Sequence, residues 1–486
     1  MDRRGIAIVV RVDSLAPQDA TRFWLSRRAC DDLFLLYCFT DTGRSFDRLR
    51  ADVLARSATV ADLWVRVRER RWAYPAWVSC DIREDQVVDH ELPAATWSNV
   101  VDAVGGLLSD GLRADVQPWR LHLFRGVRSA PGEDAPALVA VLQVSHALAD
   151  GQRAAAIARA LWTTPDECGD PRAAGDDSST SALVDRMRVT RSTGGDVNRG
   201  VFGSVPINDL PDEMRALVGL PVRVIRTILR GLAAERARRM LEVLTGRGDI
   251  PPPATNFPPT SLNRPPPPTA HAVRMIVRDD LRVPGRTVTV VALTAIAAAL
   301  SGYLRQHGAP AERLGAQVSM ARPVDKKTDR VRNNYVDLGI ELPVDESDPR
   351  RRADRIAAEL TARRTRADHP LLRAQARVSE VIPASLLRRD IAGYPLDLVP
   401  DALSGNTVIS SVNRGPADLS FGGGPVRFTG GFPALGAVMH LTHGVHGLGA
   451  TVTVSVHADP AVLPDIDVYA DLVNTALTET VTALRG

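Results

Sequence analysis

The chain has 486 residues, enough for two sizeable domains, and its 44% hydrophobic content can supply their cores. A formal net charge of +3 is close to neutral, so nothing in it calls for nucleic acid, which needs a concentrated basic surface. Lys326 and Lys327 are the only lysines and lie in a polar segment unlike a desolvated pocket, which argues against Schiff-base or pyridoxal chemistry.

Arg3 and Arg4 precede a short apolar run, residues 5–10, that Arg11 interrupts; this makes a poor signal peptide. Cys30, Cys38, Cys80 and Cys168 lack zinc-type spacing and cannot staple so long a chain, so a reduced, cytoplasmic setting is expected. No uninterrupted apolar stretch approaches the roughly 20 residues that span a bilayer, so the expectation is a soluble or peripherally bound protein.

Residues 137–144 are β-rich and almost wholly apolar, which predicts a strand buried on both faces. His146 stands at its exit. Asp150 can cap a helix over residues 151–162, with Gly151 permitting a tight turn. A strand, a histidine and a capped helix make a rigid mount for a general base, which must be held within hydrogen-bond reach of its proton. A lone histidine there is more often an interior residue satisfied by backbone.

Residues 164–203, rich in Gly, Ser, Asp and Arg, read as a loop. Leu217, Val224, Ile225, Ile228, Leu229 and Leu232 then recur at helical spacing, interspersed with Arg223, Arg226 and Arg230. Packing as a crossover helix between two halves is the expected use of that apolar face; lying on an anionic membrane is the alternative. A proline-rich segment, residues 251–268, cannot continue a helix. A strand over 271–277 and a long apolar helix ending near Arg305 follow. The closing helix carries Tyr469, Leu472, Val473, Ala476 and Leu477 on one face, and alternation of strands and helices fits an α/β architecture.

His440, His443 and His446 could suggest a metal, but the segment looks strand-like, and on a strand His443 faces away from the other two. No metal is expected. Gly422-Gly423-Gly424 has no helix after it, so it reads as a hairpin turn rather than a phosphate loop.

His146-x-x-x-Asp150-Gly151 is the signature of chloramphenicol acetyltransferase-like acyltransferases, and the surrounding text resembles their bacterial wax ester synthase/diacylglycerol acyltransferase branch. Leu15-Ala16-Pro17-Gln18-Asp19-Ala20 is similar to the branch's opening motif, and Phe46-Asp47, Pro75-Ala76-Trp77, His90-Glu91-Leu92-Pro93 and Pro118-Trp119 follow. Leu262-Asn263, Gln317-Val318-Ser319, Asn334, Leu342-Pro343, Ser410-Ser411-Val412, Gly415-Pro416 and Ala458-Asp459 keep the family's order. This chain departs from the branch where Ser145 replaces the first of two adjacent histidines and Thr289-Val290 replaces an Asn-Asp pair. The Pro-Leu-Trp element is also shifted, to Gln117-Pro118-Trp119.

The resemblance implies an α/β fold of two chloramphenicol acetyltransferase-like halves, residues 1–165 and 271–486, joined by residues 166–270, with a tunnel and the active site at their interface. It implies an O-acyltransferase in which His146 is the general base, Asp150 supports the histidine loop through an arginine ion pair and Gly151 makes the turn. Ser145, Thr289 and Asn334 are the candidate substrate-binding groups, with Ser411 weaker. Acyl-CoA is the implied co-substrate, with no permanently bound cofactor, and the acceptor is diacylglycerol or a long-chain alcohol. A natural-product O- or N-acyltransferase, with CoA or an acyl carrier protein as donor, is the alternative. A binding or scaffold protein retaining the fold without activity is the rival from another class.

Overall fold

The computed structural model describes residues 13–163, 220–265, 268–323 and 331–486. The order begins with α1 (Pro17–Leu25), β1 (Leu33–Thr40), α2 (Phe46–Ser57), β2 (Val65–Arg68), β3 (Ala76–Ser79), β4 (Val87–Asp89), α3 (Trp97–Leu107), β5 (Trp119–Val127), β6 (Ala137–Val144) and α4 (Gly151–Trp162). Next come α5 (Leu220–Gly246), β7 (Ala272–Arg278), α6 (Val288–Gln306), β8 (Leu314–Ala321), β9 (Tyr335–Leu342), α7 (Pro349–Ala367), α8 (Pro370–Ala376) and α9 (Ala384–Gly393). The chain closes with β10 (Thr407–Asn413), β11 (Ser420–Phe421), β12 (Gly424–Phe432), β13 (Leu441–Leu448), β14 (Thr451–Ala458) and α10 (Ile466–Arg485).

Two six-stranded sheets form, in the orders β11-β12-β1-β6-β5-β4 and β7-β14-β13-β10-β8-β9. Strand β6 lies between β1 and β5 and every residue of it is buried. Its period of two explains why: Leu138, Ala140, Leu142 and Val144 enter the core with α4, while Val139 and Val141 pack with Val100, Val104 and Phe428. In the second sheet Val445, Val454 and Val456 join α6 and α10 in one core. The opposite face carries Thr442, Gly444, His446, Thr453, Ser455 and His457, buried but polar. Strands β11 and β12 belong by sequence to the second half but pair into the first sheet, β12 running antiparallel to β1. Gly422 and Gly423, at φ +63° and +84°, make the tight turn between β11 and β12.

The proline-rich segment is docked on the second half: Phe257 bridges Leu403 and is buried, and Asn263 donates to the carbonyls of Asn406 and Val438. The crossover-helix expectation fails for the apolar face of α5. Ile225, Ile228, Leu229 and Leu232 are 57–60% exposed, because the helix is anchored by its other face. Thr227 donates to the carbonyl of Val381, Arg230 pairs with Glu380, and Ala237 and Leu241 are the buried contacts. Leu217 and residues 164–203 lie outside the described residues. Helix α6 is long and apolar enough to cross a membrane by length and composition, but 67% of that window is buried and it forms the core of the second half.

Candidate active site

His146 leaves β6 where Ser145 donates its backbone N–H to Pro118, and the loop closes onto α4. Asp150 caps that helix, accepting from the backbone N–H of Arg153 at 2.9 Å. Its other oxygen accepts from the backbone N–H of Asn334 at 3.0 Å. The expected arginine ion pair is not made by Asp150. The Arg153 guanidinium is instead held by Asp62 at 2.8 and 3.1 Å, and Arg332 joins the same carboxylate at 2.7 Å. Asp62 is the better partner because Asp150 spends both oxygens on backbone donors. Burial works against the Asp62 charge, yet the two guanidinium groups hold its carboxyl well below the usual range.

Gly151 does not supply a turn through a left-handed conformation, since it is absent from the described positive-φ positions. It sits instead at a close approach: a Cβ there would lie 3.2 Å from Cγ2 of Val412 on β10, so the two halves meet at this point.

The segment Arg332-Asn333-Asn334 clamps the histidine loop. Asp150 donates its backbone N–H to the carbonyl of Arg332. Asn333 donates from Nδ2 to the carbonyl of His146 at 2.8 Å and to Oδ1 of Asp19 at 3.0 Å. Two acceptors on that side fix the orientation of the amide, so its Oδ1 faces the ring and accepts from Nδ1 of His146 at 2.8 Å. The proton therefore sits on Nδ1. Nε2 keeps its lone pair and has no hydrogen-bond partner among the described residues.

Asp19, fully buried on α1, also accepts from the backbone N–H groups of Arg332 and Asn333, and burial pushes its pKa up to about 6. His146, Asn333 and Asp19 form a chain from base to amide to carboxylate, in which the carboxylate polarises the amide and improves its acceptor. The loop histidine is partly buried, and burial together with the nearby Arg22 charge pushes its pKa down to about 3. Tyr335 packs beside the ring with centroids 5.9 Å apart, and Arg22 bonds to the Tyr335 hydroxyl.

Asn334 was the candidate in sequence, but its side chain turns away to the carbonyls of Arg322 and Pro323. Its neighbour Asn333 holds the ring. Thr289 and Ser411 bond to each other at 2.9 Å, bridging the start of α6 and β10, and neither bonds to His146. Ser145 is fully buried, and its hydroxyl has no partner among the described residues. Of the three histidines on the later strand, His440 bonds Asp459, His443 lies between Thr407 and Tyr469, and His446 faces the other side. Among the described residues no group of three His, Cys, Asp or Glu could hold a metal.

This geometry carries two expected outcomes. Asn333→Ala should lower kcat about 10²-fold with little change in KM, less than the roughly 10⁴-fold loss where a charged orienting group is replaced, since the ring loses a neutral orienting partner. Steady-state kinetics on the folded variant checks this. Because the folded imidazole resists protonation until about pH 3 while an unfolded one titrates near 6.5, His146 contributes stability that is full above about 6.5 and declines as pH falls toward 3. A histidine NMR titration should show a neutral ring, protonated on Nδ1, down through about pH 5. A midpoint near 6.5 would contradict the site as described.

Two mixed sheets, a shared strand crossing between them and a histidine loop where they meet define the chloramphenicol acetyltransferase and condensation-domain class of fold. Residues 333–480 match the model of the WS/DGAT C-terminal domain. A wax ester synthase/diacylglycerol acyltransferase from Marinobacter aquaeolei has the same fold, at 17% identity and TM-score 0.59 over 96% of this chain and 98% of that one. The trichothecene 15-O-acetyltransferase from Fusarium sporotrichioides superposes at TM-score 0.53 and 12% identity, covering 99% of both chains. A starter condensation domain of rhizomide synthetase, solved with C8-CoA, does so at TM-score 0.52 and 11% identity, over 99% of this chain and 97% of its own. No characterised protein sequence matches the chain at a significant level.

Proposed function

We propose that the protein is an acyl-CoA-dependent O-acyltransferase, in which Nε2 of His146 takes the proton of an acceptor hydroxyl as its oxygen attacks the thioester carbonyl. The observation that carries this reading is the fixed tautomer: Asn333 spends the Nδ1 proton and leaves Nε2 as a neutral acceptor. The tetrahedral intermediate then collapses, the C–S bond breaks, and the imidazolium returns its proton from Nε2 to the departing CoA sulfur. Asn333 keeps the Nδ1 proton throughout. Asp150, Gly151 and Asp19 act as positioning residues that hold the loop and the amide. The test is ester formation from acyl-CoAs of increasing chain length with hexadecanol, diacylglycerol and small polar alcohols. An ester with one acceptor class establishes the activity and its acceptor, and no ester with any pairing sinks the CoA-dependent reading.

The acceptor class favoured is lipid, and the protein works at a membrane or lipid surface. The exposed stripe of Ile225, Ile228, Leu229 and Leu232 supports this, since it lies at i, i+3, i+4 and i+7 and continues along the same face as Arg236, Arg239, Met240 and Val243. Apolar side chains with arginines on one exposed face suit an anionic bilayer surface. The combined Ile225→Glu, Ile228→Glu and Leu229→Glu variant should remain folded, because these side chains are exposed, and lose at least about tenfold in co-sedimentation with anionic vesicles. Undiminished binding removes the surface role without touching the chemistry.

A further inference from the structure

Attack on the thioester carbonyl builds a negative charge on its oxygen, and that oxyanion needs a hydrogen-bond donor beside the base. The two amides that follow Arg332 cannot supply it. Both N–H groups of the Asn333 amide go to Asp19 and the carbonyl of His146, and both of Asn334 go to the carbonyls of Arg322 and Pro323. The next residue is Tyr335, the first of β9, whose ring lies beside that of His146 with 37° between the planes. Both residues are only partly buried, so solvent reaches each.

The Tyr335 hydroxyl has its proton to spare. Its hydrogen-bond partner among the described residues is the Arg22 guanidinium, which can only donate, so the phenolic oxygen is the acceptor in that bond and its own O–H is uncommitted. Accepting from a cation polarises the phenol and strengthens it as a donor. Arg22 is itself held in place. It stands three residues after Asp19 on α1, its Nη1 lies 3.7 Å from Oδ2 of Asp31, and its Cζ lies 5.6 Å from the centre of the Tyr335 ring. Asp31 is 7% exposed and its oxygens have no hydrogen-bond partner among the described residues, so its part in the site is the charge it sets against Arg22.

A cation in this place works against a general base: burial first, and the Arg22 charge after it, oppose protonation of the His146 ring. The same charge becomes favourable once a negative oxygen forms beside the imidazolium. We infer that the Tyr335 hydroxyl, polarised by Arg22, is the oxyanion donor of the transfer reaction. It donates a hydrogen bond to the carbonyl oxygen as the acceptor attacks and keeps its own proton throughout. Tyr335 is then a catalytic residue and Arg22 a positioning residue. This role presupposes the acyl-transfer reading and adds to it the group that carries the developing negative charge.

Steady-state kinetics on the full chain, with the acyl-CoA and alcohol that the wild type uses best, test it. Tyr335→Phe keeps the ring and the ion pair of Arg22 with Asp31, so it should stay folded and lower kcat about 10²-fold, with KM for both substrates within about twofold. Arg22→Lys keeps a charge opposite Asp31 but loses the fork that also reaches the phenol. Alone it should lower kcat about tenfold, and in the Tyr335→Phe background it should cost nothing further, a coupling that a merely structural role would not produce. Should Tyr335→Phe not fold, Arg22→Lys decides by its own kcat at unchanged KM: a fall of about tenfold supports the inference and no fall overturns it. A Tyr335→Phe kcat within about threefold of an active wild type, or losses that simply multiply in the double variant, overturns the inference alone. No ester from the wild type with any acceptor removes the acyl-transfer reading itself, and this role with it.

Discussion

Replacing His146 by alanine should lower kcat about 10³-fold while leaving acyl-CoA binding and the unfolding midpoint nearly unchanged. The loss follows from the ring's place in the site. Nε2 keeps a free lone pair with no partner among the described residues, and the general-base contribution it supplies is worth roughly 10²–10⁴ in rate. His146→Gln separates shape from proton affinity: its amide can occupy the same space and still bond Asn333, but cannot take a proton at neutral pH. It should be as inactive as the alanine variant. Retained activity in either would move the chemistry away from this histidine. Loss of folding in alanine but not in glutamine would show that the ring's bond to Asn333 also braces the loop.

The second large effect falls on stability. Asp62 is 4% exposed and holds Arg153 and Arg332, whose side chains are 19% and 12% exposed. Asp62→Ala removes the carboxylate that ion-pairs with both buried guanidinium groups and leaves them only the more distant Asp19 and Asp150, which should cost about 3–5 kcal/mol and move the urea midpoint accordingly. Arg332 also lies over the Trp77 ring at 4.5 Å and donates to the carbonyl of Leu148, so its release loosens the segment carrying Asn333. Activity should therefore fall with stability in this variant. The pH sign is fixed by the depressed carboxyl: the pairing contributes in full above the unfolded value near 3.9 and is lost only as pH falls well below it. A change within about 1 kcal/mol would mean that the arginines find other partners.

Much of this was legible in sequence because two local periods were strong. The apolar run before His146 gave the buried strand Ala137–Val144, and Asp150 before an alanine-rich segment gave the capped helix Gly151–Trp162, with the bounds observed. His443 faces away from His446 because strand parity requires it. Less legible was what distant segments do to one another. Asn333 and Asn334 are adjacent and chemically identical, and only the three-dimensional meeting of this segment with Asp19 and His146 shows which side chain holds the ring. Asp19 sat in plain view within the opening motif, and its signal was an acidic residue in an otherwise buried helix face. The arginine ion pair expected of Asp150 is not made, because Asp62, far away in sequence, captures Arg153 and Arg332. The apolar face of α5 was expected to serve the core, since composition alone does not tell a buried stripe from one turned outward.

The central claim is direct transfer, with the acceptor oxygen attacking the thioester while Nε2 of His146 removes its proton. A single-turnover experiment with enzyme in excess over acyl-CoA, monitoring free CoA before and after addition of an acceptor alcohol, tests it most directly. The account predicts no release until acceptor is added, then CoA and ester in equal amounts, and neither with His146→Ala. A burst of CoA before the acceptor, or no release with any alcohol from protein that binds acyl-CoA, would contradict it.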